Sequence, residues 1–169
     1  MFERVALGVD PGTASVGLAV VVRRGGLLET RWTANVRTPA GLTTASRLRQ
    51  IHEHVAAAIA EHRPDSVAVE RLMWGRNTRS AMDVARASGV ILLAAAEAGL
   101  EVEEYAPLEV KMSVTGQGNA PKEQVRRALA ALVGAAGVPT QPDAADAVAV
   151  AVCHLGQSRL RALTRTAAR

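Results

Sequence analysis

Only 2% of this 169-residue chain is aromatic, and of its 20 basic residues two alone are lysine, Lys111 and Lys122. It has one cysteine, Cys153. A single cysteine excludes an internal disulfide and any zinc site built on several thiolates. Within VAVAVCHL it is expected to pack as a small buried hydrophobe. With so few rings, aliphatic side chains must fill the interior, and a hydrophobic content of 49% suffices for a sizeable core in one domain. A charged content of 21% argues against disorder. No apolar run is long enough to span a membrane. The opening MFERVALGVD is too short and too charged for a secretory signal, so a cytosolic protein is expected.

What the chain does have is a basic balance, net charge +4, and four acids in apolar surroundings. Asp10 lies in GVDPGT, Glu70 in VAVERL, and Asp143 and Asp146 in PDAADAV. Charges set into apolar runs need a partner or a metal. Converging carboxylates repel one another until cations bridge them, and paired divalent ions in such clusters support in-line displacement at phosphorus. An acidic cluster inside a basic protein suits an enzyme that grips a polyanion and cuts it.

Apolar patterning places strands over 4–10, 16–22, 27–36, 66–72 and 102–105. The turn Arg23-Arg24-Gly25-Gly26 joins the second and third as a hairpin. Alternation puts Leu28, Thr30, Trp32, Ala34 and Val36 on one face of the third. Helical spacing marks 43–62, a long helix capped by Asn77 or Thr78 and running to about Ala98, then 122–133 and 143–155. Residues 112–121, with two glycines and a proline, read as an exposed loop. The order predicts an α/β layer: a five-stranded mixed sheet of three antiparallel strands and then parallel ones, flanked by helices. Residues 1–156 are expected to form the domain, and 157–169 an Arg-rich C-terminal tail.

Each candidate also has an ordinary structural reading. Asp10 fits a turn-capping Asp-Pro-Gly. Acids near a helix start, as at Asp143 and Asp146, complement its dipole. Glu70 is harder to explain that way, since a salt bridge to a nearby arginine is the alternative to a metal role. Lys111 and Lys122 suit phosphate binding or charge stabilisation at a scissile bond, or ordinary surface positions. Arg71, Arg76 and Arg79 are placed to contact phosphates, with an i,i+4 pair to Asp83 as the alternative for Arg79. Met73 and Trp74, an apolar pair in a basic segment, suit stacking against unpaired bases or local packing. His52, His54 and His62 read as surface residues and His154 as structural.

LGVDPGTASVG, VAVERLMWGRN, EYAPLEVKMSVTGQGNAPKEQV and PDAADAVAVAVCH, in this order and spacing, resemble the RuvC family of bacterial Holliday junction resolvases. That family belongs to the RNase H-like superfamily, and the resemblance covers about residues 4–156. It implies that Asp10, Glu70, Asp143 and Asp146 hold two magnesium ions, with manganese as a substitute. It implies that Lys111 and Lys122 assist cleavage, Lys122 as a catalytic group; Met73, Trp74, Arg76 and Arg79 are expected to contact DNA on the reading of the segment after Glu70 given above. It implies a homodimer that nicks two symmetry-related strands of four-way junction DNA, leaving 5′ phosphate and 3′ hydroxyl, and that works with the RuvA and RuvB branch-migration proteins. In one departure, Met73, followed by Trp74, stands where well-known members carry phenylalanine. Three rival readings have different signatures: an actin-like ATPase needs a second phosphate loop that this chain lacks, an RNase H-like nuclease for hybrids or flaps shares the acids, and a non-catalytic binder gains nothing from them.

Overall fold

The structure, a computed structural model, describes residues 3–72 and 78–167, with side chains for 3–72 and 81–157. The elements run β1 (Glu3–Asp10), β2 (Ser15–Arg24), β3 (Leu27–Arg37), α1 (Thr44–His62), β4 (Ser66–Glu70), α2 (Thr78–Glu97), β5 (Glu101–Tyr105), α3 (Pro107–Thr115), α4 (Lys122–Val133), a 3₁₀ turn (Ala135–Gly137) and α5 (Pro142–Ala167). The sheet order is β3-β2-β1-β4-β5. β1 pairs antiparallel with β2, and β2 with β3, whereas β4 runs parallel to both β1 and β5. This is the mixed five-stranded sheet the patterning predicts.

The two faces of the sheet carry different side chains. Leu7, Val9, Val20, Val67 and Val69 pack against Ile51 and Val55 of α1 and Ala87 and Ile91 of α2. The other face is lined by Ala6, Ala19, Val21 and Ala68, and meets Val148, Val152 and Leu155 of α5. Branched residues hold α1 and α2 at ordinary distance, while small ones let α5 approach closely. Two glycines take this to contact. A Cβ on Gly8 would stand 2.2 Å from the carbonyl oxygen of Ala147, and one on Gly17 would stand 1.9 Å from that of Asp143. Cys153 is fully buried in this layer, as expected.

Four local expectations are corrected. The register slips between Val20, paired with Trp32, and Val21, paired with Thr30, so Arg31 is an extra residue in β3. Such a bulge reverses the alternation. Leu28 therefore packs on the α5 side, while Trp32 and Ala34 pack on the α1/α2 side. Residues 107–115 are helical, so Lys111 sits on a helix and only 116–121 form the connection. Pro107 starts α3 without losing a bond, the Ala106 amide donates to Glu109 Oε2 at 2.7 Å, and Gly116 ends it with φ 76°. β4 stops at Glu70, short of 72. Finally, α5 continues past Leu155 to Ala167, because the Arg, Leu and Ala beyond Gly156 favour helix and include no breaker. No helix among the described residues is long and apolar enough to cross a membrane.

Candidate active site

The site forms where β1 and β4 end. Their parallel register sets Val9 beside Val69, so the next residue of each strand, Asp10 and Glu70, emerges side by side. Val9 and Val69 face α1 and α2, and alternation turns both carboxyls toward α5. There the first turns of α5 present Asp143 and Asp146, three residues apart and on one helical face. Gly17, the register partner of Asp10 on β2, is also the residue against which the Asp143 backbone rests. Four acids from three elements thus meet at one sheet end, as the sequence pattern requires.

Burial and crowding show at Asp10 and Glu70. Burial, and then the negative charges of Glu70, Asp146 and Asp143, push the Asp10 carboxyl up to about 8. Burial and Asp146 also raise Glu70, against a hydrogen bond from Asp10 and the charges of Lys122 and Lys111. The hydrogen bond between the two carboxyls raises Asp10 and opposes the rise of Glu70. Among the described residues, no group of three or more Asp, Glu, His or Cys side chains is gathered tightly enough to hold an ion in this conformation. The donor set nevertheless fits hard divalent cations: it is all oxygen, and burial beside other carboxylates raises Asp10 and Glu70 until a cation offsets the charge.

The raised carboxyl has a consequence for stability. Its folded value lies above its ordinary value of 3.8. The stabilisation is therefore complete below about pH 4 and is lost as pH rises toward 8. In EDTA, the melting temperature is expected to fall by roughly 5–10 °C between pH 5 and pH 8.5. Asp10→Asn should flatten that slope, and magnesium at pH 8 should raise the melting temperature. A slope in Asp10→Asn as steep as in the parent chain would remove Asp10 as its source.

Ser15, Asn35 and Thr38, which no local sequence pattern singles out, position this side of the site. Ser15 Oγ donates to Asp143 Oδ2. It also lies 2.7 Å from the side-chain amide of Asn35. One hydroxyl has one proton, so the amide is turned with its nitrogen donating to Ser15. The chain Asn35–Ser15–Asp143 fixes one carboxylate rotamer. Thr38 pins the preceding loop by donating to the carbonyls of Thr13, through Oγ1, and Ala14, through its amide. Ser15→Ala is expected to lower turnover roughly ten-fold with a melting temperature within about 2 °C of the parent; unchanged turnover would make the bond incidental.

The basic residues divide. Lys122 Nζ stands 3.4 Å from Asp146 Oδ2, with 80% of its side chain exposed. Lys111, on α3, lies close enough for its charge to act on Glu70. Arg71 turns away from the acids to Glu109, at 3.5 Å. Met73, Trp74 and Arg76 lie outside the described residues, as does the Arg79 side chain. His154 is not among the acids: it bonds Ser66 Oγ at 2.8 Å and the Tyr105 hydroxyl at 2.9 Å, in keeping with a structural role.

A sequence model of the family described as "Crossover junction endodeoxyribonuclease RuvC" matches residues 6–154. The chain belongs to the RuvC family. It is 49% identical over 148 residues to the RuvC of Moorella thermoacetica, covering 88% of this chain and 89% of that one. It is 41% identical over 162 residues to that of Syntrophomonas wolfei, covering 96% and 94%. Thermus thermophilus RuvC, solved in complex with a Holliday junction substrate, superposes with a TM-score of 0.87 at 34% identity, covering 93% of this chain and 96% of that one. The fold is therefore the RNase H-like fold of RuvC, and the chain is a crossover junction endodeoxyribonuclease by family.

Proposed function

We propose that this chain resolves four-way DNA junctions by hydrolysing one phosphodiester per subunit at the Asp10–Glu70–Asp143–Asp146 cluster, with magnesium as cofactor. The observation that carries the reading is the convergence of these four carboxyls from β1, β4 and α5 with Lys111 and Lys122 beside them. Asp10, Glu70, Asp143 and Asp146 would hold two ions, which when bound supply Lewis-acid chemistry at phosphorus and neutralise the acids. The chain's own residues do the rest. The rigid strand ends fix Asp10 and Glu70. Asn35 and Ser15 hold Asp143. The buried floor excludes water from beneath the acids. Lys122, exposed and 3.4 Å from Asp146, is free to swing onto a phosphate oxygen.

Pairing of the nicks calls for two copies. On α2 the exposed Met82 and Leu93 flank Gly89, whose surroundings are open. These three fall on one stripe of the helix, suited to a second copy packing by the same stripe. Two-fold symmetry in the protein would then match that of the junction. Family membership supports, as part of this proposal, partnership with RuvA and RuvB.

The test is cleavage of a synthetic four-way junction, with duplex, flap and RNA–DNA hybrid as controls, with and without magnesium. Paired, symmetric, magnesium-dependent nicks confined to the junction are expected. Cleavage of the hybrid or flap in preference would overturn the substrate assignment. Lys122→Ala should slow cleavage roughly 100-fold while junction affinity changes less than about three-fold; an equal drop in both would reduce Lys122 to a phosphate contact.

A further inference from the structure

Lys111 lies on α3 and lines the same cavity as Glu70 and Asp146. Lys122 is paired with Asp146, but Lys111 forms no ion pair among the described residues. Its direction is therefore set by its helix. α3 has nine residues, too few to be stable alone. Its buried residues are Val110 and Val114, four apart and so on one line of the helix. Leu108 and Met112 are exposed and add no anchor. Two anchors on one line leave a helix free to roll about that line. A roll of about 20° would carry a group roughly 6 Å from the axis through roughly 2 Å.

Glu109 supplies the missing tie. Ala106, at the N-cap position, has no side-chain oxygen to offer the first turn. Glu109 reaches back instead, and its Oε2 accepts from the Ala106 amide at 2.7 Å. The Arg71 guanidinium stands 3.5 Å from the same oxygen. Arg71 follows Glu70 directly, and its own amide donates to the Tyr105 carbonyl at 2.8 Å. One carboxylate oxygen thus joins the start of α3 to the strand end that carries Glu70.

We propose that Glu109 is a positioning residue for the reaction, fixing the roll of α3 and so aiming Lys111 at the phosphate beside Glu70. The inference rests on the junction-cleaving function proposed above. Glu109 does not itself line the cavity, so its effect on cleavage passes through Lys111. Its two links differ in strength. The bond from the amide is short and made to a charged acceptor. The pair with Arg71 is long and about half exposed, and contributes little alone. Glutamine at this position keeps an oxygen for the amide, whereas alanine loses both links.

The test is a double-mutant cycle. Single-turnover cleavage of the four-way junction is measured in saturating magnesium, and junction affinity separately in EDTA. Glu109→Ala is expected to slow cleavage roughly ten-fold and to change affinity less than about two-fold. Glu109→Gln should bring the rate back to within about three-fold of the parent. In a Lys111→Ala background, Glu109→Ala should slow cleavage no further. Without metal or DNA, the Ala106 amide should exchange hydrogen faster in Glu109→Ala and stay protected in Glu109→Gln. Should Glu109→Ala not fold, Ala106→Pro removes the donor instead, since φ at this position is −68°, and should reproduce the slowing. Equal slowing by Glu109→Ala with and without Lys111 would overturn the proposal. So would full-rate cleavage by Lys111→Ala or by a folded Ala106→Pro protein, or an Ala106 amide still protected in Glu109→Ala. If the parent protein cuts a flap or hybrid in place of the junction, the proposed function fails, while the same cycle on that substrate still decides the role of Glu109.

Discussion

Asp10→Asn is expected to lower junction cleavage at least about a thousand-fold in saturating magnesium, with junction binding unchanged or tighter. Asp10 is the most crowded of the four acids, flanked by Glu70, Asp146 and Asp143. Its substitution removes one ligand and one charge without changing the shape of the strand end. Binding should not suffer, because the amide takes a negative charge away from the place where a phosphate must lie. The same variant should be more stable than the parent above pH 8 in EDTA, since the repulsion that raises Asp10 is gone. Loss of turnover with a gain in stability is the signature of a site built against its own electrostatics. Retained cleavage would refute the carboxylate mechanism, and equal losses in cleavage and binding would instead indicate misfolding.

Gly17→Ala is expected to cost roughly 1–3 kcal/mol of stability and to lower cleavage by the folded protein roughly 100-fold. The added methyl would stand 1.9 Å from the Asp143 carbonyl oxygen. The methyl is fixed directly to the backbone and the carbonyl is part of it, so neither can rotate away. The start of α5 must lift from β2, taking Asp143 and Asp146 away from Asp10 and Glu70. Gly26→Ala is the control, because nothing lies within 4 Å of its added methyl. Measured turnover per folded molecule separates the effects: a destabilised Gly17→Ala enzyme with normal turnover would show that close approach serves stability alone.

The acids were legible because each is a charge in or beside an apolar run, and such placements are costly without a function. The sheet was legible because β1, β2 and β4 are short continuous apolar runs, buried on both faces and bounded by turn residues. Where reading failed, the deciding contact lay elsewhere in the chain. Nothing in LLETRWTANVR marks Arg31 as the extra residue, since a bulge is a property of pairing with β2. In α3, Val110 and Val114 point inward while Leu108 and Met112 are exposed, so the apolar pattern has no single face. Its start is capped through the reach of Glu109, not by a side chain at the cap position itself. Ser15 and Gly17 are ordinary residues until α5 arrives more than 120 positions later. Local spacing reports which groups are reactive; the groups that aim them are visible only after the helix docks.

The site acids stand on two kinds of support. Asp143 and Asp146 begin a helix whose next two turns, Ala147 to Cys153, are buried to within a few per cent and form the centre of one core layer. No partial opening can part these acids from Asp10 and Glu70 without exposing that layer to water. Amides of Ala147–Cys153 should therefore exchange hydrogen only through global unfolding, and those of 116–121 far faster. The carboxylates belong to the last unit to open and the Lys111–Lys122 connection to one of the first. Accommodation of differently shaped branch points thus falls to the basic periphery, while the reacting centre behaves as part of the scaffold.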